Sequence, residues 1–376
     1  MSEIIFVSKE LNGEGRVAAS PETVKKYIDI GYSVFIEKGA GLASSMLDSS
    51  YKEAGAEIVD SDAVEDADVI IKVLRPKEYE AATYKKGAVV LAMFSPYSAE
   101  DEIFALAERE ITGFALELLP RITRAQTMDV LSSQANLAGY KAVIDAVGVY
   151  SRAIPMLVTA AGTIPAAKVF VMGAGVAGLQ AIATARRLGA VVTANDVRPS
   201  VREQVLSLGG KFIAVEDEEF YGAETAEGYA KEMSDEYLKK QEFLVADHIS
   251  KQDIVITTAL VPGRMPPCLV TRKMLQTMRP GAIVVDLAVE HGGNVEGGVY
   301  GELVDIEGVK VIGYTNLSRI AATASYLYAR NLYAFLESMT DKKLKKLAIN
   351  FNDELVKATL LIHGGRVVHP VFSLQS

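Results

Sequence analysis

The sequence predicts an α/β protein of two doubly wound parallel-sheet domains with a cleft between them, and three observations predict it. Apolar, β-prone runs alternate with helical patterns in two separate series. The length of 376 residues corresponds to about two domains of this class. Hydrophobic residues make up 49% and charged residues 23%, enough for two buried cores without a disordered tract.

Ile4–Val7 reads as the first strand. Ser20 is placed to cap a helix that has Pro21 at its first position, and Gly31 is placed to end it. Ser33–Glu37 predicts the next strand, and further strands are expected at 68–73, 88–94 and 114–118, with helical patterns such as 102–110 between them. The polar segment 121–129 then reads as a loop feeding a linking helix over 130–150, rich in Ala and Leu. Lys168–Met172 opens the second series, which continues at Val191–Asn195, 212–215, 253–258, 282–288 and Val309–Ile312. The helical stretch 321–339 is expected to return to the first domain, and Gly364-Gly365 to turn a closing hairpin. The expected domains are therefore 1–129 with 325–376, and 130–324.

Composition excludes several classes of function. Lys plus Arg number 39 against 48 Asp plus Glu, a net charge of -9 that disfavours phosphate backbones and anionic lipid. The one short basic cluster is Lys342, Lys343, Lys345 and Lys346, so no nucleic-acid partner is expected. A lone cysteine, Cys268, rules out an internal disulfide framework and fits a reducing compartment. His248, His291, His363 and His369 lack metal-ligand spacing, and no metal is expected. The N-terminus lacks the basic segment and long apolar core of a signal peptide. The longest uncharged stretch, 169–185, falls short of a membrane span and carries Gly173, Gly175 and Gly178, so no direct membrane insertion is expected.

Those glycines have a better use. Lys168–Met172 leads into Gly173-Ala174-Gly175-Val176-Ala177-Gly178 and then a helical pattern. In G-x-G-x-x-G the first glycine permits a tight turn, the second lets backbone N–H groups approach a pyrophosphate, and the third lets helix and strand pack closely. The helix N-terminus adds partial positive charge for the phosphates. Asp196, 23 residues after Gly173, ends the second strand and can accept hydrogen bonds from an adenosine ribose, which favours NAD over NADP. Arg198 tempers that preference. The bland alternative is that the glycines only shape a turn in a Rossmann-like sheet.

Arg121, Arg124, Gln126, Asp129, Ser132, Ser133, Gln134 and Asn136 crowd polar groups beside an apolar helical pattern. If helical, Asp129, Ser132 and Ser133 share a face. On composition alone the segment reads equally as a solvated loop with helix caps.

The string 119–134, with Asn136-Leu137-Ala138-Gly139-Tyr140, resembles the NAD(H)-binding domain of proton-translocating nicotinamide nucleotide transhydrogenase, within the alanine dehydrogenase/transhydrogenase superfamily. Gly15-Arg16-Val17-Ala18, Gly39-Ala40-Gly41, the segment 173–178, Glu224-Thr225-Ala226, the segment 228–233 and Asp286-Leu287-Ala288-Val289-Glu290 extend the likeness over essentially the whole chain. The resemblance implies that Arg121, Gln126, Asp129 and Ser132 form a set beside the nicotinamide. Asp129 and Ser132 would hold the carboxamide, Arg121 would contact the carboxamide or pyrophosphate, and Gln126 would reach toward a second nucleotide on a partner. It also implies that Val176, Val197, Gly228, Gln241 and Leu260 surround the NAD(H), with Arg124, Ala174, Arg198 and Tyr229 as further contacts.

Alanine dehydrogenases share this fold and look similar around Arg16. Where they carry a substrate-binding lysine this chain has Leu74, with Lys72 one slip of alignment away; their catalytic histidine falls on Ser95, and their aspartate before Gly-Gly on Glu290. Reducing an oxo acid creates an alkoxide that must be protonated, whereas hydride passing between two nicotinamides needs ring apposition and exclusion of water. The resemblance therefore implies hydride transfer between NAD(H) here and NADP(H) on a partner subunit, coupled elsewhere to proton translocation. It further implies membrane-spanning and NADP(H)-binding partner subunits, a homodimer, and a cytoplasmic chain attached to the membrane through those partners. Two other readings are an alanine dehydrogenase-like amino-acid dehydrogenase and a non-enzymatic NAD-binding regulatory module.

About forty residues separate the strands expected at 212–215 and 253–258, long enough for a lid hinged at Gly222 and Gly228 around Tyr229, with Met233 following. The bland reading is a surface excursion with a helix over 238–245. Tyr326, Tyr328 and Tyr333 recur at near-helical spacing among apolar residues and read as packing.

Overall fold

The computed structural model describes residues 2–222, 233–260, 263–314 and 317–373. The chain divides into two compact units, Met1–Gln134 with Leu317–Ser376, and Ala135–Asn316.

The first unit is built on an eight-stranded sheet in the order Arg366–Val367, Leu360–His363, Thr112–Ala115, Val89–Met93, Val69–Leu74, Ile4–Val7, Ser33–Glu37, Glu57–Val59. The six strands from Thr112–Ala115 to Glu57–Val59 are parallel, and the two C-terminal strands join as an antiparallel edge. Central parallel strands are covered on both faces, which is why Ile70, Ile71 and Val90 are all fully buried and read as unbroken apolar runs. The helix Pro21–Asp29 starts as expected: Ser20 and Thr23 form a reciprocal capping box, and Gly31 turns the chain at φ +112°. At the closing hairpin Ile362 faces Val367 across Gly364 and Gly365, whose φ values of +57° and +77° suit the twist of the strands. Tyr328, fully buried on the helix Ala321–Ser338, donates its hydroxyl to the carbonyls of Lys72 and Val73, and Phe335 meets Phe114 edge to face at 5.7 Å. The tyrosine pattern is packing.

The second unit is a seven-stranded sheet in the order Lys211–Phe212, Val191–Asn195, Lys168–Met172, Ile254–Thr257, Ile283–Asp286, Val309–Ile312, Leu303–Ile306. All neighbours are parallel except the last pair. Chain order reverses between Lys168–Met172 and Ile254–Thr257, the switch point at which open α/β sheets bind ligands beyond the carboxyl ends of their strands.

Several boundaries differ from expectation. The run 114–118 splits, with a strand at Thr112–Ala115 and a tight helical turn at Leu116–Leu118. The strand expected over 212–215 is confined to Lys211–Phe212. Within the long connection, the helix expected over 238–245 lies inside Asp235–Ile249, and Phe220, Met233 and Tyr237 form a small core of their own. Gly228 and Tyr229 lie outside the described residues. A two-stranded hairpin, Leu157–Thr159 with Gly162–Ile164, was not anticipated. No helix among the described residues is long and apolar enough to cross a membrane, and no group of side chains among them could hold a metal ion.

Candidate dinucleotide-binding site

Gly173 ends the first strand of the second unit at φ +98°, a backbone conformation that L side chains rarely adopt. A Cβ there would lie 2.5 Å from the Thr258 hydroxyl, which donates to the Gly173 carbonyl at 3.0 Å. A Cβ on Gly178 would lie 1.9 Å from that same carbonyl oxygen. Gly175 differs from both, because a Cβ there would meet nothing within 4 Å. The outer glycines thus close helix onto strand while the middle one fronts open space. Gly175 itself stands as N-cap of the helix Val176–Arg187 and has no side chain to satisfy the first-turn N–H groups. The linking helix Val130–Val149 approaches the same turn at Gly139, where a Cβ would lie 2.0 Å from the Ala177 carbonyl. These features fit a bound pyrophosphate.

Asp196 is buried at the end of Val191–Asn195, and its Oδ2 accepts from the backbone N–H of Ala174 at 2.7 Å. Arg198 donates its backbone N–H and Nε to Oδ1 and its Nη2 to Oδ2. Val197 between them is half-buried. Asn195 holds the Ile213 carbonyl and receives the Gln241 side-chain amide at 3.3 Å. The other polar atom of Gln241, Oε1, is buried without a hydrogen-bond partner, which is the state expected of a group awaiting a ligand donor.

Beyond Ile254–Thr257 the chain runs through Thr258 and Ala259 to Leu260, which is exposed. Fully buried Asn294 clamps this segment: its Oδ1 accepts from Ala259 N–H, and its Nδ2 donates to the carbonyls of Ala259 and Pro267. Asp286 holds the following loop through the N–H groups of Ala288, Asn294 and Val295, and burial pushes its carboxyl above the usual range. Sequence reasoning missed Thr258 and Asn294, because a single Thr or Asn after a strand carries no spacing signal.

In the first unit the segment 121–129 is a tight helical turn, Thr123–Met128, anchored by buried Ala125 and Met128. Arg121 and Gln126 are exposed. Asp129 caps the linking helix, accepting the Ser132 N–H at 2.8 Å and the Ser132 hydroxyl at 2.5 Å. Ser133 donates to Asn331, which donates in turn to the Thr127 carbonyl, so a side chain two hundred residues away fixes the turn. Asn331 is a further residue the sequence did not single out. Arg124 is bound at both guanidinium nitrogens by Asp353 at 2.6 and 2.8 Å, a partner the sequence did not suggest.

At the positions matched to alanine dehydrogenases, Arg16 pairs with Glu14 and donates to Gln134. Lys72 is 1% exposed and pairs with Glu80 at 2.9 Å and Glu10 at 3.8 Å. Leu74 and Ser95 are exposed at the ends of their strands, and Glu290 is exposed as well.

The strand order, the switch point and the glycine turn define the Rossmann class of nucleotide-binding α/β proteins. Models of the N-terminal and C-terminal domains of the alanine dehydrogenase/PNT family match residues 6–138 and 142–370. The chain is 50% identical to an NAD(P) transhydrogenase alpha subunit of Rhodospirillum rubrum over 99% of both chains. A solved structure of transhydrogenase from Sinorhizobium meliloti superposes with a TM-score of 0.90 at 58% identity, covering 97% of this chain and 100% of that one. An L-alanine dehydrogenase structure shares the fold at TM-score 0.80 and 24% identity, over 98% of each chain. The chain belongs to the alanine dehydrogenase/PNT family, among its transhydrogenase alpha subunits.

Proposed function

We propose that this chain is the NAD(H)-binding subunit of a proton-translocating transhydrogenase and that it exchanges hydride directly between its NAD(H) and NADP(H) held by a partner subunit. The observation that carries this reading over an amino-acid dehydrogenase is the side-chain chemistry at Leu74 and Ser95. Neither can serve as a cationic carboxylate anchor or as a general acid of neutral pH, and neighbouring Lys72 is tied to Glu80 and Glu10.

When bound, the nicotinamide supplies the carbon that gives or takes hydride. The C4–H bond of one ring breaks with its electron pair as the C4–H bond of the other forms, and the positive charge moves from one ring nitrogen to the other. No proton is exchanged, so the chain must orient a ring and keep water away. Gly175 and the first turn of Val176–Arg187 serve the pyrophosphate, with Ala174, Val176 and Gly178 shaping the turn. Asp196, Val197 and Arg198 serve the adenosine, together with Gln241. Leu260, Gly228 and Tyr229 cover the nucleotide, Asp129 and Ser132 hold the carboxamide, and Arg121 and Arg124 add positive charge. Exposed Gln126 reaches the second nucleotide.

Two copies act together as a homodimer. Membrane-spanning and NADP(H)-binding subunits complete the enzyme and attach this chain to the cytoplasmic face of the membrane, and proton coupling lies in those partners. The test is an assay of the purified chain with NADH, run with pyruvate and ammonium and, separately, with the NADP(H)-binding partner. Exchange with the partner and no consumption of pyruvate support the reading. Turnover of pyruvate by the chain alone would overturn it, and NADH binding without exchange in any combination would favour a regulatory module.

A further inference from the structure

The four hydrogen bonds on Asp196 leave its carboxylate with no spare acceptor capacity. Oδ1 takes the Arg198 backbone N–H at 2.9 Å and Nε at 3.0 Å, while Oδ2 takes Ala174 N–H at 2.7 Å and Arg198 Nη2 at 2.9 Å. A carboxylate offers about four lone-pair sites, and all are used. A ribose hydroxyl can bind Asp196 only by displacing an arginine donor. The ion pair also carries no net charge, so like-charge repulsion by Asp196 is offset within the same pair and cannot by itself reject a 2′-phosphate. What remains is competition for the guanidinium, a planar fork that suits phosphate and carboxylate equally well. Arg198 retains 24% exposure of its side chain, whereas Asp196 retains 6%.

We propose that Asp196 and Arg198 form a paired cofactor selector, in which Asp196 excludes 2′-phosphorylated nucleotides chiefly by occupying a guanidinium that would otherwise bind the phosphate. This rests on the proposed NAD(H) site. The cost of a failed selector is specific to the reaction: NADP(H) bound here would exchange hydride with NADP(H) on the partner to no net effect. Ala174 ties the selector to the glycine turn, so the adenosine end and the pyrophosphate end are set by one carboxylate.

Equilibrium dialysis of the full chain against NADH and NADPH tests this, using Asp196→Asn, Arg198→Ala and the double variant. Asp196→Asn keeps the shape and an oxygen for Ala174 but removes the charge that holds Arg198. It is expected to tighten NADPH at least tenfold and to weaken NADH, and Arg198→Ala added to it is expected to cancel the gain. Arg198→Ala alone leaves the glycine turn's bond to Asp196 in place and is expected to widen the preference for NADH at least threefold. Unchanged NADPH affinity in Asp196→Asn, or a gain that survives in the double variant, would overturn the selector while leaving the NAD(H) site standing. If the unmodified chain binds no NADH, the proposed function fails and the selector with it.

Discussion

Gly178 faces the carbonyl of Gly173 so closely that a Cβ on the one would stand 1.9 Å from the oxygen of the other. That contact sets the distance between the first strand of the second sheet and the helix that follows it. Gly178→Ala should therefore cost about 1–3 kcal/mol through overpacking. Because the strain falls on the turn itself, NADH binding should be lost in equilibrium dialysis even where thermal unfolding still shows a cooperative transition. A Gly178→Ala chain with full NADH affinity would remove the turn from the binding site.

Asp129 does two jobs that can be separated. Its carboxylate caps the linking helix through the Ser132 N–H, and it fixes the Ser132 hydroxyl. Ser132→Ala leaves the backbone cap intact, so NADH affinity should fall severalfold with little change in stability. Asp129→Ala should add the loss of a cap, about 1 kcal/mol, visible in the urea midpoint. Equal affinity in Ser132→Ala and the parent chain would argue that the pair is structural only.

Gln126 is exposed on a turn whose anchors, Ala125 and Met128, point inward. Gln126→Asn shortens the reach by one methylene without altering the turn. It should slow hydride exchange with the NADP(H)-binding partner at least fivefold while the NADH dissociation constant stays within about twofold. A large loss of affinity at unchanged rate would contradict the role.

Glu10 is almost wholly buried, and desolvation raises its carboxyl to about 7 against the pull of Lys72 and the Val73 N–H. The folded state then holds a proton that the unfolded chain releases near pH 4.5. The stability this contributes is full below about pH 4.5 and is lost as pH rises through about 7. Glu10→Gln should flatten this part of the pH profile of the urea midpoint between pH 5 and 7.5, and a slope identical to that of the parent would place the titration elsewhere.

Much of this was legible in the sequence, for identifiable reasons. Parallel strands buried on both faces, such as Ile4–Val7 and Lys168–Met172, appear as uninterrupted apolar runs. Ser20, Pro21 and Gly31 mark a helix by their chemistry alone, and the glycine turn announces itself by spacing. The same signal misplaced one end: in 114–118 the apolar residues continue, but Glu117 accepts the Ser95 N–H from the neighbouring strand end and the chain turns after Ala115. Edge elements escaped notice because exposure removes their pattern; all six residues of the hairpin Leu157–Thr159 and Gly162–Ile164 are exposed. Ser133, Thr127 and Asn331 could not have been joined from sequence, since their contact is tertiary. Asp196 and Arg198 were both visible, but not that one saturates the other.

The account stands or falls on where the hydride goes. NADH deuterated at C4 on the transferred face, mixed with this chain and the NADP⁺-loaded partner subunit in ordinary water, should place its deuterium in NADPH. Deuterium appearing in alanine, when pyruvate and ammonium are supplied to this chain without any partner, would contradict it.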